Sequence, residues 1–184
     1  ERKMNTLSAE NSLVMIIDIQ ERLVGALDKD IVVTRAVRVA SAAKALGIPV
    51  LVTEQYPKGL GNTVPQLKAV LPENTEIIEK TSFNALLEEG MPEKIAAYGK
   101  KQIVLFGIET HICVHQTAAA LLEAGYEVYI IKDACASRNK YEFKQGIEIM
   151  QQNGAKISCV EIALFEWLKG AKHPKFKEVQ ALIK

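Results

Sequence analysis

Six short apolar runs, rich in β-branched residues, alternate along the chain with segments of helical spacing. The runs are Leu13–Ile19, Pro49–Thr53, Thr75–Glu79, Gln102–Phe106, Glu127–Ile131 and Ala155–Cys159. Most are apolar almost throughout, the pattern of strands buried on both faces of a parallel sheet; a strand with one wet face would alternate. Between them, residues 29–46 set Ile31, Val32, Ala36, Val39, Ala43 and Leu46 on one stripe, and Gly47 ends that helix. Residues 111–124 place Val114, Ala118, Leu121 and Leu122 on one side before Gly125, and residues 140–152 stop before Asn153-Gly154. A capping glycine followed at once by an apolar strand recurs in Gly47-Ile48-Pro49-Val50, Gly125-Tyr126-Glu127-Val128 and Gly154-Ala155-Lys156-Ile157. With right-handed crossovers, this order predicts an α/β fold: a doubly wound, six-stranded, mainly parallel sheet with helices on both faces. No linker, low-complexity tract or fixed-period repeat interrupts it, so residues 1–184 read as a single domain.

Open sheets of this kind bind ligands at the carboxyl ends of their strands, near the switch in strand order. That rule selects Asp18, Glu54-Gln55-Tyr56, Lys80, Gly107–Cys113 and Asp133–Arg138 for their chemistry. Asp18 closes the apolar run Val14-Met15-Ile16-Ile17, either as a loop-capping carboxylate or as a general base made by partial desolvation. Lys80 ends the third run, where a solvated surface charge and a functional cation are the competing readings. Cys113 falls between a strand and a helix. There it is either inert packing or a thiolate favoured by the amides and dipole of a first helical turn, amides that would also hold an oxyanion. Cys135 and Cys159 lack that setting and read as structural.

A length of 184 residues with 48% hydrophobic and 24% charged content suits one core of ordinary size. With 23 basic and 22 acidic residues the net charge is +1, which gives no electrostatic reason to expect nucleic acid or an anionic membrane as partner. Three cysteines argue against a disulfide scaffold and for a reducing, cytoplasmic setting, an organelle such as the mitochondrion being the alternative. No apolar run approaches the roughly 18 residues that span a bilayer, and Glu1-Arg2-Lys3-Met4 has no apolar stretch behind it of the kind a secretory signal needs.

Three segments together carry a resemblance: Asp18-Ile19-Gln20, Lys80 followed by Ser82-Phe83, and Gly107-Ile108-Glu109-Thr110-His111-Ile112-Cys113-Val114. In order and spacing they are similar to the signature segments of the isochorismatase-like cysteine hydrolases, and Asp133-Ala134-Cys135-Ala136-Ser137-Arg138 resembles that family's fifth-strand segment. The isochorismatase-domain-containing branch shares the loop Thr53-Glu54-Gln55-Tyr56-Pro57-Lys58-Gly59-Leu60-Gly61 and the ending His173-Pro174-Lys175-Phe176-Lys177. The resemblance implies a triad of Asp18, Lys80 and Cys113, a non-proline cis peptide between Ile108 and Glu109, and an oxyanion hole formed by the amides of Glu109 and Cys113. It implies dimers or tetramers. Hydrolysis of a small amide or related carbonyl compound through a thioester is the expected activity, with Gln20, Tyr56, Phe83, Asn84 and His111 lining the pocket.

The departures narrow this expectation. Nicotinamidase-type members carry an Asp-x-His metal motif after the second strand, where this chain has Glu54-Gln55-Tyr56; neither a metal nor another cofactor is expected. Isochorismatase itself lacks the cysteine. His111 replaces a common aspartate two positions before Cys113. His111 and His115 stand four apart, which suits either a metal pair or a pocket residue and a helix-surface or interface residue; the second reading is preferred. A binding or assembly module that keeps the fold without efficient catalysis is the rival in another class. A nucleic-acid enzyme is set aside for want of a basic patch, interleaved aromatics or a metal motif. The apolar side chains of Ile162–Trp167 suit an interface or packing of their helix on the sheet.

Overall fold

The computed structural model describes residues 6–27 and 29–184; the reading of Glu1–Met4 lies outside the described residues. Strands β1 (Ser12–Ile17), β2 (Val50–Gln55), β3 (Glu76–Lys80), β4 (Gln102–Gly107), β5 (Glu127–Ile131) and β6 (Lys156–Ser158) form one sheet in the order β3-β2-β1-β4-β5-β6. All five pairings are parallel. The apolar runs account for this directly. Every residue of β1 and of β4 is buried, as strands covered by helices on both faces require, whereas β3 at the edge exposes Glu76.

Helices α1 (Glu21–Gly25), α2 (Lys29–Leu46), α3 (Pro57–Leu60), α4 (Pro65–Lys68), α5 (Met91–Ala97), α6 (His115–Glu123), α7 (Lys140–Gln152), α8 (Val160–Leu168) and α9 (Phe176–Gln180) fill the connections. Helix α2 buries Val32, Ala36, Val39 and Ala43, while Ile31, expected on that stripe, is exposed. The reason is angular: Ile31 stands one residue, about 100°, off the row that Val32 begins. In α8, Val160, Ala163, Leu164, Trp167 and Leu168 face the core, and of its apolar side chains only Ile162 and Phe165 point outward. Most of Ile162–Trp167 therefore packs its helix, and the indole N–H of the buried Trp167 donates to Ser12 Oγ at 3.0 Å.

The sheet edge that matters is set by register. Ile17 pairs with Thr53 on one side and Gly107 on the other, and Gln55 pairs with Lys80. The carboxyl ends of β1 to β4 thus finish side by side, around the switch between β1 and β4. Two strand ends differ from the sequence expectation by two residues, the others by one at most. β1 stops at Ile17, because Asp18 takes the left-handed conformation (φ 53°) and leaves the ladder. β2 continues to Gln55, because its polar end is held by pairing with β3.

Candidate active site

The left-handed backbone of Asp18 turns its carboxylate into the space above the sheet edge. There the carboxylate is fully buried and bonded at both oxygens: Oδ1 accepts from Thr53 Oγ1 at 2.7 Å and Oδ2 accepts from Lys80 Nζ at 2.9 Å. Both side chains of this ion pair have no exposed surface. The ammonium has further acceptors in Gln55 Oε1 at 2.6 Å and the Ser82 carbonyl at 3.1 Å. A buried ion pair is tolerated when its remaining hydrogen-bonding capacity is met, as it is here, but removing one partner strands the other charge. Asp18→Ala is therefore expected to destabilise the fold by about 3–5 kcal/mol, measured by urea denaturation. A loss below about 1 kcal/mol would mean that water reaches the ammonium freely.

Cys113 comes to the same place by a different route. Gly107 ends β4 with φ 140°, and a β-carbon there would stand 1.9 Å from the carbonyl oxygen of Ile17. Only glycine lets β4 run this close to the end of β1, and the Ile108 N–H then donates to that same carbonyl at 2.9 Å. The Ile108–Glu109 peptide is cis. A π-type turn, Thr110–Val114, follows, closed by Val114 N–H to Glu109 O at 3.3 Å, and regular α6 starts only at His115. Gly146 of α7 packs on this turn; a β-carbon there would come within 2.9 Å of His111 Cα.

The thiol is buried, and the charges of both Asp18 and Lys80 act on it. Burial first, and the Asp18 carboxylate second, push it up to about 12, outweighing the opposing pull of Lys80. This reverses the expectation of a thiolate favoured by a first helical turn. Cys113 sits in a π-turn ahead of the helix, and the nearest full charges include an anion. Since the neutral thiol dominates below that value, iodoacetamide labelling of Cys113 is expected to climb steadily through the alkaline range. A plateau of full reactivity reached near neutral pH, read by mass spectrometry of the labelled peptide, would contradict this.

The other residues singled out from the sequence fall into distinct roles. Tyr56 and Phe83 are exposed beside the strand ends, and Tyr56 and Lys80 help to line a cleft of about 330 Å3 with Lys58, Glu79 and Glu88. Asn84 is half-buried and caps the Ala85–Leu87 turn, its Oδ1 accepting from Leu86 N–H at 2.9 Å. His111 is half-buried with Nδ1 at 2.9 Å from Ser137 Oγ. Gln20 is buried and fully used: its Nε2 donates to the carbonyls of Gln55 and Gly61 at 2.9 and 2.7 Å, and its Oε1 accepts from Gln55 N–H at 2.6 Å. It braces a loop and offers no free group. Glu109 is buried, its carboxylate gripping Arg138 at both N–H (2.9 Å) and Nε (3.1 Å).

Three contributors were given no role from sequence, although Gln55 lies in the selected Glu54-Gln55-Tyr56 segment. Thr53 and Gln55 hold the ion pair, and Thr117 of α6 fixes the Lys80 loop by accepting from Ala85 N–H at 3.1 Å. Two-residue periodicity was the available signal for the first two: positions 53 and 55 share one face of β2, while Glu54 points to the other. There its buried carboxylate holds Thr63 through the backbone N–H and the hydroxyl, and Asn62 Nδ2 donates to it at 3.2 Å. The Glu54 side chain is committed to the loop. His115 is half-buried with Nδ1 unpartnered, and burial lowers its basicity. Cys135 is buried, its thiol raised to about 12 mainly by burial, and Cys159 stands half-buried just before α8.

Comparison with known proteins gives this arrangement its relatives. The Isochorismatase domain family model matches residues 12–162, most of the chain. The chain belongs to the isochorismatase family. Isochorismatase domain-containing protein 2 of Xenopus laevis is 41% identical over 187 residues, covering 99% of this chain and 88% of the relative. Isochorismatase family protein 1A of Dictyostelium discoideum is 37% identical over 185 residues, covering 98% and 90%. Among solved structures, the MAR1 ribonuclease from Caenorhabditis elegans superposes with a TM-score of 0.91 at 39% identity, covering 97% of this chain and 92% of that one. As a member of this family the chain is an isochorismatase-like hydrolase with the family's α/β fold.

Proposed function

We propose that the chain is a cysteine hydrolase of a small amide or related carbonyl compound, with Cys113 as nucleophile, Asp18 as proton carrier and Lys80 as the fixed cation between them. The observation that carries this reading is the convergence of one thiol on a wholly buried carboxylate–ammonium pair at the sheet edge. A perturbed thiol beside a buried ion pair at a ligand-binding sheet edge is the kind of cluster that marks functional sites.

The raised thiol supports one order of events. Cys113 enters the reaction protonated, and Asp18 takes the proton as sulfur attacks the carbonyl carbon, so a carbon–sulfur bond forms as the thiol proton leaves. The Lys80 ammonium keeps the charge of the resulting group balanced, and the amides of Glu109 and Cys113 receive the developing oxyanion. Asp18 next returns the proton to the leaving nitrogen as the carbon–nitrogen bond breaks, leaving a thioester. It then takes a proton from water, which attacks the thioester and releases the acid. Finally the thiolate recovers its proton from Asp18. Self-association through an apolar face is part of the proposal, and the outward Ile162 and Phe165 of α8 are candidates for it.

The C. elegans relative is named a ribonuclease, and the balanced charge of this chain favours the small-molecule reading over a polyanionic substrate. The test is side-by-side incubation of the protein with p-nitrophenyl acetate, with a panel of small primary amides and with a mixed-sequence RNA. Turnover of the ester or an amide with intact RNA is expected. RNA cleavage without ester or amide turnover would overturn the reading, and inertness towards all three would shift it to a binding module.

A further inference from the structure

We infer that Gln55 is a positioning residue, a side-chain clamp that fixes the Lys80 ammonium on Asp18 and is itself held in place by Gln20. The inference rests on the cysteine-hydrolase reading of the site.

The orientation of the Gln55 amide follows from what its neighbours can do. On one side is the Thr81 carbonyl, an acceptor only, at 2.8 Å from Nε2; on the other is an ammonium, a donor only, at 2.6 Å from Oε1. Amide nitrogen must therefore face Thr81, and amide oxygen must face Lys80. The backbone of Gln55 is gripped at both its N–H and its carbonyl by the buried side chain of Gln20, at 2.6 and 2.9 Å. Gln20 follows Asp18 by two residues, so the contacts close into a ring: Asp18 to Lys80, Lys80 to Gln55, Gln55 to Gln20 and back along the chain. Neither end of the ion pair can shift without breaking a bond elsewhere in it.

The ring also sets what Lys80 does. An ammonium has three N–H donors, and Asp18, Gln55 and the Ser82 carbonyl lie at 2.9, 2.6 and 3.1 Å from Nζ. All three protons are committed. Lys80 then acts as a fixed charge and does not hand a proton to the leaving group, a task left to Asp18.

Two variants test the assignment. Gln55→Glu puts a negative charge where the amide oxygen stands. Iodoacetamide labelling of Cys113 at about pH 9 is expected to fall about tenfold, because each further unit on the thiol costs a factor of ten in thiolate. The same charge change at the exposed Gln151, at the end of α7, is expected to change it less than about twofold. Gln55→Leu removes the acceptor, and kcat for p-nitrophenyl acetate is expected to fall about 10–100-fold with KM within about twofold, as for a misplaced reacting group. Labelling of Gln55→Glu at the wild-type rate would overturn the inference, as would a raised KM at unchanged kcat in Gln55→Leu, the mark of a substrate contact. Labelling needs no substrate. It decides the role of Gln55 even where Cys113→Ala retains esterase activity and the hydrolase reading fails on its own.

Discussion

Cys113→Ala is expected to lower turnover of an ester or amide substrate by on the order of 10⁴-fold or more, while the protein melts close to the wild type. Two features of the site set these magnitudes. In the proposed mechanism the nucleophile is the one group whose loss removes covalent catalysis altogether, since Asp18 and Lys80 then have no sulfur to act on. The fold, in contrast, loses a single sulfur from a π-turn that is anchored elsewhere, by Thr110 N–H on the Ala136 carbonyl at 2.9 Å and by Gly146 packed on His111. The Asp18–Lys80 pair keeps its own partners, Thr53 and Gln55, in the variant. Thermal melting and p-nitrophenyl acetate kinetics together check the claim. A variant that retains more than a tenth of the wild-type rate would remove Cys113 from the mechanism.

Gly107→Ala is expected to have the largest effect on the fold, at least about 4 kcal/mol, or a melting point lower by roughly 10 °C, and failure to accumulate as folded protein is the extreme outcome. A methyl group at that position meets the Ile17 carbonyl oxygen at 1.9 Å, with the carbonyl carbon and the Ile17 nitrogen at 2.7 and 2.8 Å. All three are backbone atoms of the central strand, which cannot rotate away as a side chain would. Relief requires β4 to move from β1, and that breaks the Ile108–Ile17 hydrogen bond and carries the Cys113 turn with it. Gly125→Ala is the control. Gly125 also has positive φ, 93°, but nothing lies within 4 Å, so only backbone strain of about 1–2 kcal/mol is expected there. Equal destabilisation in the two variants would show that conformation, and not the approach of β4 to β1, is what Gly107 supplies.

The sheet was legible because its strands are buried on both faces, and continuous apolar runs such as Leu13–Ile17 and Gln102–Phe106 mark such strands without any knowledge of their neighbours. Strand ends were harder to place, since polar residues end a run in sequence whether or not the ladder continues. Gln55 reads as loop, yet it pairs with Lys80 and is held by Gln20; Asp18 reads as the polar end of a strand, yet its left-handed backbone has already left it. Asp18, Lys80 and Cys113 stood out because strand-end charges and a strand-to-helix thiol are unusual company for apolar runs. The supporting role of their neighbours did not, even though Gln55 lies in a selected segment. Thr53 and Gln55 carry ordinary polar side chains, and their importance lies in register across three strands, which pairs residues far apart in sequence. The state of the thiol was beyond sequence as well, because it depends on the balance of burial, Asp18 and Lys80 in three dimensions.

Intact-protein mass spectrometry during turnover of p-nitrophenyl acetate, with the reaction quenched in acid, addresses the thioester directly. An added acetyl group confined to the Cys113 peptide and absent from Cys113→Ala is the expected result. Steady turnover with no acyl group on Cys113 at any quench time, or acetylation spread over Cys135, Cys159 and surface lysines alike, would contradict it.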